Sequence, residues 1–191
     1  CAAYTPGYSE DFATFLPGCW EEYTNGNSAA GPNGPGAGSW ASDGFANNGF
    51  SGAAKINIYG TSVINDWLVS PEFDLSSGGY QLVFDVAGTA FSSSVNPAAM
   101  GSDDTLSLMK SVDGGLTWTF EMIWGQGNEP SLAGDRASLY LGTGASTMFA
   151  FYGANGATSG GDNDLFVDNF TICTPVVNTT PIMMDLCDGD M

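Results

Sequence analysis

The residues with most chemical potential in this chain are carboxylates, and two of them stand out by phase. In the run Leu165-Phe166-Val167-Asp168-Asn169-Phe170-Thr171-Ile172, two-residue alternation places Asp168 on one face with Phe166, Phe170 and Ile172. Near the start of the chain, Glu10 shares a face with Tyr8 and Phe12 in the same way. A carboxylate on a core-facing row must be paired, protonated, hydrogen-bonded or bound to a metal, because an isolated buried charge is too costly. Pairing is scarce here, since Lys55, Lys110 and Arg136 are the only basic side chains against 21 acidic ones. Calcium answers the shortage, because it accepts about six to eight oxygen ligands, including carbonyls and side-chain amides. The segment Gly160-Gly161-Asp162-Asn163-Asp164 and the turn at Asn47 and Asn48 are rich in such oxygens, which adds Asp162, Asp164 and Asn47 to the candidate ligands. They do not have EF-hand spacing. The competing reading treats Asp162 to Asp164 as turn residues and Asp168 as a cap on a backbone group.

The same arithmetic excludes much other chemistry. The net charge is −18 and there is no histidine, so imidazole triads, histidine zinc sites and histidine general bases are absent. Three basic residues cannot supply a phosphate-neutralising surface, which argues against nucleic acid and against anionic membranes. No apolar run reaches the roughly 20 residues of a membrane-spanning helix, so direct membrane insertion is not expected. Carboxylate catalysis requires two acids facing each other across a cleft. The adjacent pairs Glu21-Glu22 and Asp103-Asp104 point to opposite faces of a strand, and the E-x-D-x-x-E strand of laminarinase-type glycanases does not occur. No catalytic residue is assigned.

Two further motifs bear on binding. Ser111-Val112-Asp113-Gly114-Gly115-Leu116-Thr117-Trp118 matches the S-x-D-x-G-x-T-W Asp box, in which the Asp and Gly shape a hairpin turn and the Trp packs beneath it. We read it as a staple. Of the five tryptophans, Trp20, Trp40, Trp67 and Trp118 adjoin strand or turn signals and are expected in the core. Trp124 ends a strand beside the polar segment Gly125-Gln126-Gly127-Asn128-Glu129, which makes it the candidate for stacking on a ligand.

These groups must be carried by strands. The chain has 191 residues, 43% of them hydrophobic and 13% aromatic, enough for one folded domain, with 27 glycines marking frequent turns. Alternation predicts strands over 8–12, 20–23, 53–59, 66–70, 79–86, 104–112, 118–124, 136–141, 147–152 and 165–172. That inventory predicts an all-β, two-sheet antiparallel jelly-roll β-sandwich. Three polar loops, 25–38, 89–102 and 153–163, are long enough to carry specificity. Cys1, Cys19, Cys173 and Cys187 permit two disulfides in an oxidising compartment, with three pairings open. The domain is expected to span 1–173, with 174–191 a linker or the start of a following module.

Taken in order, Tyr8-Ser9-Glu10-Asp11-Phe12, Pro17-Gly18-Cys19-Trp20, Gly38-Ser39-Trp40, Asp66-Trp67-Leu68-Val69-Ser70-Pro71-Glu72-Phe73-Asp74-Leu75, the Asp box, and Val167-Asp168-Asn169-Phe170-Thr171-Ile172 form a recognisable series. The series resembles the MAM-like jelly rolls of secreted Bacteroidetes proteins, the cleaved-adhesin or choice-of-anchor J domains. The resemblance covers about 8–173 and implies calcium held partly by Glu10 and Asp168. Relatives often carry an acid directly after the first-strand Phe, where this chain has Ala13, so Asp11 is the substitute ligand to expect. The cysteine that MAM domains carry just before that Phe is absent here, so their disulfide pattern does not transfer. The resemblance also implies a non-catalytic role in adhesion or carbohydrate binding within a large secreted or cell-surface bacterial protein. Its expected partners are an extracellular glycan or a host or surface protein, beside neighbouring domains of the same chain. The alternatives are an accessory domain that targets a secreted peptidase or polysaccharide-degrading enzyme and, more remotely, a carboxylate-based glycanase.

Overall fold

The computed structural model describes residues 1–60, 63–156 and 160–175. Its strands are β1 (Tyr8–Glu10), β2 (Glu21–Tyr23), β3 (Gly26–Asn27), β4 (Gly31–Pro32), β5 (Trp40–Asp43), β6 (Ala53–Ile58), β7 (Ile64–Val69), β8 (Tyr80–Ala90), β9 (Thr105–Ser111), β10 (Thr119–Gly125), β11 (Asp135–Leu141), β12 (Met148–Asn155) and β13 (Asn163–Cys173). One sheet runs β11-β8-β13-β6-β5, and β1 also pairs with β13. The other runs β10-β9-β12-β7-β2. All pairings within them are antiparallel, so the architecture is the expected two-sheet sandwich.

Alternation explains which side chains fill the space between the sheets. Leu82, Phe84 and Val86 of β8, Leu106 and Leu108 of β9, Phe149 and Phe151 of β12, and Leu165 and Val167 of β13 share one buried cluster. Phe84 meets Phe151 edge-on at 5.1 Å between ring centres, the arrangement that aromatic quadrupoles favour. Phe12, Trp20 and Phe170 close one end of this core. Cys1 and Cys19 form a disulfide that fixes the N-terminus beside this corner, whereas Cys187 lies outside the described residues.

A second cluster, Trp67, Val69, Met109, Trp118, Ala150 and Tyr152, occupies the outer face of the second sheet. The loop after β2 lies on it through Gly31, whose backbone has φ +81; a Cβ there would sit 2.6 Å from the indole of Trp118. Only glycine permits that approach. The Asp box does form a staple. Asp113 accepts hydrogen bonds from Ser111 Oγ (2.7 Å), Thr117 N (2.9 Å) and Thr117 Oγ1 (2.6 Å), and the Trp118 indole N–H donates to Gly115 O (3.0 Å).

Candidate functional site

The predicted ligands gather around two residues of β13, Asp164 and Asp168, four residues or about 13 Å apart along an extended strand. The boundary between them is set by strand pairing. The first half of β13, Asn163 to Val167, pairs with β6 on one side, and Phe170 to Ile172 pairs with β1 on that same side. Asp168 and Asn169 lie in the gap where β6 has ended and β1 has not begun.

The register against β8 also breaks there. Asp168 stands opposite Asp85 and Thr171 opposite Val83, so Asn169 and Phe170 together face one residue of β8. This is a β-bulge, and Asn169 takes a left-handed φ of +51 within it. The bulge corrects the predicted phase. Phe166 and Asp168 point away from the inter-sheet core, and the extra residue returns Phe170 and Ile172 to it. An asparagine, which tolerates left-handed backbone better than most residues, is the only trace of the bulge in the sequence.

Asp168 is therefore half-buried on the outer side of the sheet, among other acids. Its Oδ1 accepts the Asn169 N–H at 2.6 Å. The Asn169 amide donates to Asp85 at 2.8 Å, and Asp85 is paired with Arg136 (Nε to Oδ1, 3.0 Å). Burial, with repulsion from Asp85 and Asp11 added, pushes the Asp168 carboxyl up to about 6. Glu10, across on β1, is raised by burial too, with Asp11 repelling it. Its Oε1 accepts the N–H of Phe12 (3.0 Å), where the chain turns through φ +48. Its other oxygen lies 3.5 Å from the Tyr8 hydroxyl, which accepts the Trp20 indole N–H at 2.8 Å. Burial pushes that phenol up to about 12. Asp11 Oδ1 accepts the N–H of Ala13 (3.0 Å). A groove of about 430 Å³ opens here, lined by Ser9, Glu10, Asp11, Asn169, Thr171 and Arg136.

Among the described residues, no three acidic or thiol side chains converge closely enough to hold a metal ion by themselves. Glu10, Asp11 and Asp168 nonetheless supply the hard oxygen chemistry that calcium prefers, and backbone carbonyls and water would have to complete its shell.

At the other place, Asp164 is fully buried and surrounded by donors. The Asn47 amide (3.1 Å) and Ser92 N–H (2.8 Å) donate to Oδ2, and the Asn57 amide donates to Oδ1 (2.9 Å). Lys55 Nζ lies 3.9 Å from Oδ1 and also pairs with Asp43. Asp162 is exposed and accepts a second bond from the Asn57 amide (2.9 Å). Asn47 thus meets Asp164 as a hydrogen-bond donor, with its NH₂ toward the carboxylate.

Trp124 does not occupy the exposed position expected of it. A bulge at Glu121, between the pairs Phe120↔Met109 and Met122↔Leu108, resets the phase of β10. Met122 and Trp124 consequently turn inward, and the Trp124 ring lies edge-on to Phe84 at 6.1 Å. Phe120 and Ile123 point outward instead, each about half exposed.

The residues that sequence reading missed are Asp85, Arg136 and Asn169 at the first place and Lys55 and Asn57 at the second. Each acts across strands far apart in sequence. Alternation puts Asp85 on the face opposite Leu82 and Phe84, but nothing local says that β13 is its neighbour.

No family profile matches the chain, and no curated protein sequence is significantly similar to it. Solved structures do share the fold. The K1 cleaved adhesin domain of Lys-gingipain from Porphyromonas gingivalis aligns with a TM-score of 0.54 and 15% identity, over 86% of this chain and 96% of that one. The K3 cleaved adhesin domain of the same protein gives 0.53 and 15%, over 86% and 95%. A structure described for carbohydrate-binding modules of the β-sandwich superfamily gives 0.50 and 9%, over 88% of this chain and 62% of that one. At these identities the likeness concerns the fold.

Proposed function

We propose that this chain is a non-catalytic adhesion or carbohydrate-binding module of a secreted or cell-surface bacterial protein, stabilised by calcium at the junction of its first and last strands. The observation that carries the calcium half is Asp168. It is a half-buried carboxylate with no cationic partner of its own among the described residues, raised by burial and by repulsion from Asp85 and Asp11. A divalent cation would favour the charged form of the raised carboxyls. Glu10, Asp11 and Asp168 would be its side-chain ligands, drawn together on binding and completed by backbone carbonyls and water, and its charge would clamp β1 onto β13 where β6 leaves off. The binding half draws on the fold shared with domains named as adhesins and as carbohydrate-binding modules. The acidic surface further disfavours phosphate-rich partners.

Calorimetry on metal-stripped protein tests the calcium half. Calcium is expected to raise the melting temperature by several degrees and EDTA to reverse the change, by mass action on the folded state. An identical melting curve with and without calcium overturns it. Binding to immobilised glycans tests the other half, and a chain that binds no glycan and no cell surface is not a module of this kind.

A further inference from the structure

The outward stripe on β10 adjoins a groove that the calcium-site carboxylates do not touch. The bulge at Glu121 places Phe120 and Ile123 on the same outer face, 50% and 51% exposed, although strict alternation would separate them. Beyond Ile123 the turns 101–104 and 125–128 enclose a shallow groove of about 320 Å³, lined by Ser102, Asp104, Thr105, Ile123, Gln126 and Asn128, with Gly125 at its edge. Gly125 keeps β10 close to β9 there, since a Cβ on it would lie 3.1 Å from Asp104 O.

The chemistry of the lining selects a ligand. The side chains of Ser102, Thr105 and Gln126 make no hydrogen bond to other described residues, so two hydroxyls and an amide face the groove unengaged. The Asn128 NH₂ is spent on Ile123 O (3.0 Å), which leaves its carbonyl oxygen to accept. No lysine or arginine lines the groove, and the one ionisable group is Asp104. Asp104 is nearly buried; its Oδ2 takes the Gly101 N–H at 2.6 Å, and burial raises its carboxyl. An anion would meet no compensating charge and one carboxylate. A hydroxyl-rich neutral molecule would find donors and acceptors around the Ile123 side chain, with the Phe120 ring further along the same strand as a surface for its C–H face.

We propose that the outer face of β9 and β10, from Phe120 through Ile123 to the 101–104 and 125–128 turns, binds a neutral saccharide. The assignment rests on the carbohydrate-binding reading above. Affinity electrophoresis of the whole chain through gels carrying neutral polysaccharides (β-glucan, galactan, mannan) and anionic ones (pectate, alginate) tests it. The wild type is expected to be retarded by at least one neutral polymer and by no anionic one. F120A and Q126A, both at exposed side chains, should weaken that retardation at least tenfold in apparent Kd, with unchanged melting temperatures. Retardation of the wild type that both variants keep in full overturns this site and leaves the carbohydrate-binding reading standing. Preference for the anionic polymers overturns the assignment of a neutral ligand. A wild type that no polysaccharide retards overturns site and reading together.

Discussion

Asp164 and Asp168 lie on the same strand and carry the same functional group, yet their surroundings are opposite. Asp164 has no solvent exposure and is met by two side-chain amides, a backbone N–H and, at 3.9 Å, the Lys55 ammonium. Asp168 keeps partial exposure, accepts its own neighbour's N–H, and is repelled by Asp85 and Asp11. The chain has three basic side chains, and Lys55 is placed at the first of these carboxylates. Arg136, the nearest cation to the second, is held by Asp85. Burial alone therefore does not single out a carboxylate as a candidate for an ion; burial that the protein's own donors leave uncompensated does.

The sharpest way to break this comparison is to remove Asp164. D164A would take one acceptor each from Lys55, Asn47, Asn57 and the Ser92 N–H, while Lys55 keeps Asp43, Asn47 keeps Thr89 and Asn57 keeps Asp162. Hydrogen bonds to a charged group are worth about 1.5–3 kcal/mol each, so the several lost together should cost about 3–5 kcal/mol. Urea denaturation should show a loss of that size, equal with calcium and with EDTA. A loss that disappears in EDTA would mean that Asp164 is a metal ligand after all, and the distinction between the two places would fall.

Such contrasts show how far the sequence could be read. Alternation located most of the strands within a few residues, because side chains facing the core of a sandwich must repeat every second position. It missed β5, a short edge strand whose four residues, Trp40 to Asp43, hold a single core side chain, Trp40. It also assigned faces wrongly wherever a bulge intervened. Alternation puts Asp168 and Phe170 on one face, and a single extra residue separates them; a bulge likewise turns Trp124, expected to be exposed, toward the core. Bulges depend on the partner strand, which no local pattern specifies. The candidate carboxylates were legible because unpaired acids are conspicuous in a chain with three cations. Their sorting into compensated and uncompensated was not, since Lys55 reaches Asp164 only through the pairing of β6 with β13.

A second test acts on the other carboxylate. D168N removes the repelled charge while nearly preserving shape, so in EDTA the variant should melt at or slightly above the wild type. Its response to calcium should be lost, whereas the wild type gains about 2.7 kcal/mol at a calcium concentration a hundredfold above Kd. D164N is expected to retain that gain, from a lower starting stability. Calorimetry of the two variants in parallel thus separates the roles, and a calcium response undiminished in D168N would remove Asp168 from the proposed site.

The smallest effect is a dependence on pH. The folded Asp168 carboxyl is raised to about 6, above its ordinary value of 3.8. An acid raised on folding binds its proton more tightly in the folded state, so its favourable contribution is complete below the unfolded value and is lost as pH rises through the folded one. In EDTA, stability should therefore decline between about pH 4 and pH 6, by about 1 kcal/mol once solvent screening of a half-exposed group is allowed for. Other raised carboxyls, such as Glu10, add slopes of the same sign, so the diagnostic quantity is the difference between wild type and D168N. Calcium should flatten or reverse that difference, because metal and proton compete for the same oxygens. If the wild type and D168N follow parallel curves across this window in EDTA, Asp168 is compensated much as Asp164 is, and the contrast between the two ends of β13 is one of position alone.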